Sequence, residues 1–188
     1  GFQQAPPVMD EERIDIVDPS GRPLGVAKPR NEVHRLGLWH KTVHVWIVNS
    51  TEMLLFQKRS LSRESFPGRW DVSAAGHIAA GESAVLAAQR EVLQELGLQT
   101  AEGDLCHLFV LQASSVQREG TLIDNEYSNV YLMRRDLLIG ELHLQASEVS
   151  EVMFLHFGEL ERLAAPGNSA FAPHPDEYAR LFEHLTHQ

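Results

Sequence analysis

The chain has a single cysteine, Cys106, in 188 residues. No internal disulfide can staple it, so its stability has to come from a packed core, and a lone thiol suits a reducing compartment. Long apolar runs are also missing. The longest, residues 43–48, is interrupted by His44 and falls far short of the ~20 residues needed to cross a bilayer, which predicts no membrane partner. Cations are scarce, with 16 Lys and Arg against 26 Asp and Glu for a formal charge of −10. That sign opposes phosphate backbones and predicts no nucleic-acid partner. A small anionic substrate would need a local basic site and a metal. Residues 1–10 have neither the charged start nor the apolar centre of a secretory signal. The expected location is cytoplasmic, with any segment upstream of Gly1 left open because the chain starts without Met.

With 43% hydrophobic and 22% charged residues, the composition is that of one compact domain with a full core. Residues 1–10, containing Pro6-Pro7, read as a loose tail, and residues 11–188 as a single domain. Residues 13–17 alternate like a strand, Asp18-Pro19-Ser20-Gly21 turns the chain, and residues 24–27 return as a hairpin. Residues 42–48 and 53–57 are β-branched and aromatic around the break at Asn49-Ser50, which predicts a second hairpin. A polar loop over 60–68 leads to a short strand over 70–73. Further strands are expected at 104–112 and 127–134, flanking a loop, and at 151–157. Short and longer helices follow at 158–164 and 176–187, the latter with Asp176 as N-cap. The firmest helix spans 82–96, where Val85, Ala88, Val92 and Leu96 share one stripe and Gly97 provides the left-handed stop.

On that helix Glu91 and Glu95 are four apart and Gln94 is three from Glu91, so three oxygen donors project from one face. Oxygen donors of this kind suit Mg²⁺, with Mn²⁺ as a substitute; such an ion neutralises phosphate charge and acidifies water. A solvated helix face carries the same residue types, so the spacing acquires meaning only from its surroundings.

The surroundings are the run GHIAAGESAVLAAQREVLQELGL, residues 76–98, which resembles the Nudix box, G-x5-E-x7-R-E-U-x-E-E-x-G-U, with U a bulky aliphatic. Gly76, Glu82, Arg90, Glu91, Val92, Glu95, Gly97 and Leu98 fall in register, and Gln94 departs by standing where the box has an acid. The resemblance implies the Nudix α/β/α sandwich with a mixed central sheet, the box helix on one side and the C-terminal helix on the other. It implies that Glu91 and Glu95 ligate magnesium, joined by Gln94 and by the carbonyl of Ala75 or Gly76. Arg90 would orient Glu91, and Glu82 would hold Arg90. Glu126, in the run Asp124-Asn125-Glu126, is the candidate for a fourth oxygen or for the base, against the alternative of an exposed loop acid. Arg59 and Arg63, with Lys58, are the candidate diphosphate clamp.

Outside the box, HRLGLWHKTVHVWI, LLFQKRSLSRESFPGRWDVSAAGHI and DNEYSNVYL resemble the Nudix branch that contains isopentenyl diphosphate isomerase and its hydrolase relatives. That resemblance implies a candidate second metal site at His40, His77 and Asp124 with Glu126, to which His34 matches less well because its spacing is off by one. Ala75 stands where the isomerases have a catalytic cysteine, and a methyl group cannot move a proton at an allylic carbon. The expectation is therefore a Mg²⁺-dependent hydrolase of a diphosphate linkage in a small molecule, either a nucleoside diphosphate derivative or an isoprenoid diphosphate. Two alternatives stand beside it: an isomerase-type enzyme, and a catalytically weak Nudix domain that binds a ligand.

Overall fold

The computed structural model describes residues 12–187, and the expected tail over 1–10 lies outside the described residues. In chain order the elements are β1 (Arg13–Val17), β2 (Pro23–Pro29), α1 (Arg30–Leu36), β3 (Trp39–Val48), β4 (Met53–Arg59), β5 (Trp70–Asp71) and β6 (Ala74–His77). There follow α2 (Ala84–Leu96), β7 (Cys106–Gln117), β8 (Leu122–Arg134), β9 (Val149–His156), α3 (Glu159–Leu163) and α4 (Pro175–Thr186). No helix among the described residues is long and apolar enough to cross a membrane.

Strand β3 organises the sheet. It pairs antiparallel with β6, placing Thr42 opposite His77 and His44 opposite Ala75. On its other side it runs parallel to β8, from Trp39↔Asn125 to Val48↔Arg134. Strand β8 continues antiparallel into β7, and β4 pairs with β5 and β9, so the sheet is mixed. Side chains alternate across a strand, and the register therefore sorts β3 into two faces. Val43, Val45 and Ile47 pack with Ala87, Ala88, Val92 and Leu96 of α2. Trp46 and Val48 pack with Leu160 of α3 and Tyr178 and Leu181 of α4. The result is the expected α/β/α sandwich, with α2 on one face and the C-terminal helices on the other. Val92 and Leu96 are wholly buried, and each contributes roughly 1.5–3 kcal/mol by leaving water.

Helix α2 begins at Ser83, whose side chain accepts from the Leu86 N–H, and ends at Gly97 with φ 73°. A side chain at Gly97 would also meet the Cβ of His143 at 2.7 Å.

Two expectations change, and one element carried none. Helix α1 was not expected; its seven residues are bounded by Pro29 and by Gly37 with φ 66°. The loop expected between residues 112 and 127 is instead the far half of the β7–β8 hairpin, turned over Arg118-Glu119-Gly120. Its cross-strand ladder supplies the order that its polar, weakly alternating sequence does not announce. Helix α4 starts at Pro175 with His174 as its N-cap, ahead of Asp176, because proline's fixed φ suits the first helical position.

Candidate active site

The box helix lies against β6 at its backbone. Glu95 is 2% exposed, and its Oε1 accepts the Ala75 N–H at 2.9 Å and the Gln57 Nε2–H at 3.0 Å. Arg63 Nη1 stands 3.7 Å from Glu95 Oε2. Burial outweighs these contacts and, helped by the Glu91 charge, pushes Glu95 up to about 8. Glu91 is likewise raised by burial, to about 7, although Arg90 opposes the shift. Arg90 Nη1 donates to Glu91 Oε1 at 2.6 Å, while its Nε and Nη2 fork onto Glu82 at 2.9 and 2.8 Å and Nη2 also reaches the His77 carbonyl. Gly76 leaves the room that Glu91 occupies, since an added Cβ would lie 2.2 Å from the Glu91 carboxyl carbon.

Ala75, Gly76, Arg90, Glu91 and Glu95 line a cavity of about 430 Å³ that also holds Gln94, Arg30, Arg63 and Glu148. Gln94 is exposed and accepts from Arg90 Nη1 at 3.3 Å. Two buried carboxylates of raised pKa, with hard oxygen donors around them, fit a divalent cation, because such an ion supplies the countercharge that the protein only partly provides.

A second cluster sits on the face of the sheet that bears α4. Strand register explains it: His40 pairs with Glu126, and Thr42 with both Ser128 and His77, so alternate residues of three strands converge. His34 joins from α1, with its ring 5.2 Å from His77 and 5.7 Å from His40. Ligand atoms of His34, His40 and His77, and of His40, Asp124 and Glu126, lie within 4.8 Å of one another. His40 Nδ1 is bonded to the Leu38 carbonyl at 3.0 Å, leaving Nε2 3.5 Å from Asp124 Oδ1 and 3.9 Å from Glu126 Oε2. His34 Nε2, His40 Nε2 and Asp124 Oδ1 are buried without a hydrogen-bond partner, a state costly enough that a bound ion is its natural resolution. Burial lowers His34 and His77, the latter well below the usual imidazole range, which keeps them as neutral ligands. Burial and the Asp124 charge raise Glu126.

Glu126 therefore belongs to the histidine cluster on β8 and does not line the cavity of Glu91 and Glu95. The strand pairing that puts it opposite His40 dictates this, and it also disposes of the loop-acid alternative. The carboxylates in the box cavity that the sequence did not announce are Glu12 and Glu148, the latter 2.6 Å from Arg63 Nη1. Of the three expected clamp cations, Arg63 lines both the box cavity and the one beside it. Arg59 is committed to Asp71 at 3.2 Å and to the Ser65 carbonyl at 2.7 Å. Lys58 lies instead beside Glu151 and over the Trp70 ring and lines neither the box cavity nor the one beside it, because strand alternation turns it away from Gln57 and Arg59. Arg30, at the start of α1, takes its place at the junction of the two cavities; its only signal in the sequence lay in the helix that was missed.

The neighbouring cavity, of about 410 Å³, runs from Arg30, Arg63 and His77 past Ala75 to His44 and His174. Two ion pairs border it, one buried and one half-buried. His44 Nδ1 meets Glu177 at 2.7 Å, with Trp46 Nε1 donating to the same carboxylate at 2.8 Å. His174 Nε2 meets Asp71 at 2.9 Å. Burial alone would lower His44, but the Glu177 charge outweighs it and raises His44 to about 9. Asp71 raises His174 in the same way. A smaller cavity of about 240 Å³ continues beyond His44, Glu126 and His174.

A family model for the NUDIX domain matches residues 38–175. Among curated relatives, Nudix hydrolase 3 of Arabidopsis thaliana is 40% identical over 93% of this chain, which spans only 23% of that longer protein. An isopentenyl-diphosphate Delta-isomerase of Serratia proteamaculans is 33% identical over 65% of this chain and 65% of its own length. The crystal structure of DR0079 from Deinococcus radiodurans superposes with a TM-score of 0.67 at 26% identity, covering 90% of this chain and 98% of that one. The NUDIX domain of Shewanella oneidensis NrtR, solved with ADP ribose, shares the fold at a TM-score of 0.57 and 17% identity over 77% of this chain and 87% of that one.

Proposed function

Given that the chain belongs to the Nudix hydrolase family, we propose that it is a Mg²⁺-dependent enzyme cleaving a diphosphate linkage in a small molecule, with the ion held by Glu91 and Glu95. The observation that carries this reading is the pair of buried, proton-retaining carboxylates facing the Ala75-Gly76 backbone in a cavity that also holds Arg30 and Arg63. A divalent ion there supplies charge neutralisation at the diphosphate and acidifies water. The protein's own groups do the rest. Arg90 fixes the Glu91 carboxylate, and the Ala75 N–H and Gln57 fix that of Glu95. Arg30 and Arg63 receive the phosphates between the two cavities. Glu148, lining the box cavity, is the acid placed to take the proton from the attacking water.

The histidine cluster, with Asp124 and Glu126, is proposed as a second metal site; its imidazoles favour a softer ion such as Mn²⁺ over Mg²⁺. It also ties the chain to the isomerase-type relatives. The isomerase reading itself lacks its thiol, since Ala75 stands in the cavity wall and Cys106 is exposed on β7, lining none of the cavities.

Incubation with isopentenyl diphosphate, ADP-ribose and other nucleoside diphosphate derivatives, followed by phosphorus NMR with Mg²⁺ and with chelator, tests the proposal. Metal-dependent cleavage of at least one of them is expected. Dimethylallyl diphosphate formed without cleavage would establish isomerisation instead, and tight binding without turnover across the panel would establish a ligand-binding domain.

A further inference from the structure

Arg63 lines both the box cavity and the one beside it, yet it stands on a polar loop, residues 60–68, with no helix or strand to set its direction. Its backbone N–H closes a turn onto the Ser60 carbonyl at 3.0 Å. Each of the three residues that follow it is held from outside the loop. Arg118 Nε donates to the Glu64 carbonyl at 3.2 Å, and Arg59 Nε to the Ser65 carbonyl at 2.7 Å. Gln117, at the end of β7, holds two residues at once. Its Nε2 donates to Ser65 Oγ at 3.1 Å, and its Oε1 accepts the Phe66 N–H at 3.1 Å. Ser115, on the same face of β7, accepts from Gln117 Nε2 at 3.4 Å and so fixes which way the amide faces.

Phe66 shows what this clasp maintains. Its φ is 44°, in the left-handed region where a bulky residue is strained and stays only when its surroundings impose it. The bond from its N–H to Gln117 and the Arg69 guanidinium 5.3 Å from its ring are among the contacts that do so. Ser65 and Phe66 also line the cavity beside the box together with Ala113, Ser114 and Ser115 of β7, so loop and hairpin share one wall.

We propose that Gln117 is a positioning residue for the diphosphate end of the site: by clasping Ser65 and Phe66 to the β7–β8 hairpin, it holds Arg63 in the direction from which that guanidinium receives a phosphate. Gln117 lines neither of the cavities that Arg63 serves, so its effect passes through the loop. A phosphate that meets an arginine already held loses less in ordering it, and without the clasp binding has to supply that ordering.

The proposal rests on the reading of Arg63 as a phosphate ligand, and two measurements let each fail separately. The first is calorimetric titration of methylenediphosphonate, a diphosphate with no hydrolysable bridge, into the full chain with Mg²⁺. Gln117→Ala is expected to weaken binding by about fivefold or more, through two lost hydrogen bonds and the order they impose. Gln117→Met, which keeps the length of the side chain and loses both bonds, should behave alike. Arg63→Ala is expected to weaken binding by about tenfold or more. Added to Arg63→Ala, Gln117→Ala should cost less than about twofold, because a residue that acts through Arg63 then has nothing left to position. Losses that multiply in full in the double variant, or wild-type affinity in Gln117→Ala or Gln117→Met, would overturn the proposal. The second measurement is tryptic cleavage after Arg63 in the protein without ligand. It should run about fivefold or more faster in Gln117→Ala, with Tm lowered by less than about 4 °C. Unchanged cleavage overturns the clasp and leaves the diphosphate reading standing. A wild type that binds no methylenediphosphonate, with the contrast in cleavage intact, overturns the diphosphate reading and the positioning role with it.

Discussion

Replacing Glu95 by glutamine removes a charge from a place where the metal-free protein holds it badly. Glu95 is 2% exposed, and its carboxyl rises from 4.5 to about 8, first through burial and then through the charge of Glu91. A carboxyl raised in the folded state binds its proton more tightly there than in the unfolded chain. Its contribution to stability is therefore full below about 4.5 and is lost as pH rises to about 8. At ~1.4 kcal/mol for each tenfold change in proton affinity, the loss reaches about 5 kcal/mol. Glutamine keeps the oxygen that accepts from Ala75 and Gln57 but gives up the Arg63 contact at 3.7 Å, a cost of about 1 kcal/mol. The expected net gain for Glu95→Gln in chelator at pH 8 is then about 4 kcal/mol, or roughly 8–16 °C in Tm for a chain of this size. At pH 4.5 the two proteins should melt close together. Mg²⁺ should raise the Tm of the wild type and leave the variant unmoved, and diphosphate hydrolysis should be lost. Thermal scans by circular dichroism at both pH values, with chelator and with Mg²⁺, measure all of this. A variant less stable than the wild type in chelator at pH 8, or one stabilised by Mg²⁺ as the wild type is, would refute the placement of the charge and of the ion.

Three further outcomes follow from the same geometry. Gly76→Ala sets a methyl 2.2 Å from the Glu91 carboxyl carbon, so Glu91 must swing out, and the Mg²⁺ concentration giving half-maximal hydrolysis should rise at least about tenfold, the cost of roughly one lost ligand interaction, with the far-UV spectrum unchanged. Elemental analysis after Mn²⁺ loading and desalting should find about one ion fewer per chain in His40→Ala than in the wild type, because His40 is common to both groups of converging ligands; equal metal content would remove the second site. Glu177→Ala leaves the Nδ1 of a buried His44 and the Nε1 of Trp46 unpaired and should cost about 3–5 kcal/mol near neutral pH. His44 is raised from 6.5 to about 9, so the pair's contribution is full below about 6.5 and fades toward 9; the gap in Tm between the variant and the wild type should narrow over that window, and a gap that widens would contradict the pairing.

How far the sequence could be read depended on the distance over which each feature is written. The box helix and its glycine stop are local, and residues 82–98 carry them in their spacing, while the Arg90 fork was implied by the resemblance to the Nudix box. The flanking strands of β3 and β4 are legible from β-branched composition. What escaped is long-range. Nothing local marks His44, whose partner Glu177 lies 133 positions away, and the Asp71–His174 pair spans 103. Gln57 ends an expected strand, and only the fold brings Glu95 onto it. Glu126 sits in a stretch too polar to look like a strand, and only the ladder to β3 shows that it faces His40. Helix α1, short and bounded by proline and glycine, hid Arg30 and obscured how His34 reaches its cluster.

The first half of strand β3 divides labour by parity. Its odd-numbered residues Val43 and Val45 belong to the core that seats the box helix, its even-numbered Thr42 and His44 line the cavities with His40 in the ligand cluster beside them, and Trp46 and Val48 return to the core under the C-terminal helices. Heritable change at Thr42 can therefore reshape a cavity wall while the platform of the box helix stays as it was, and change at an odd position does the reverse.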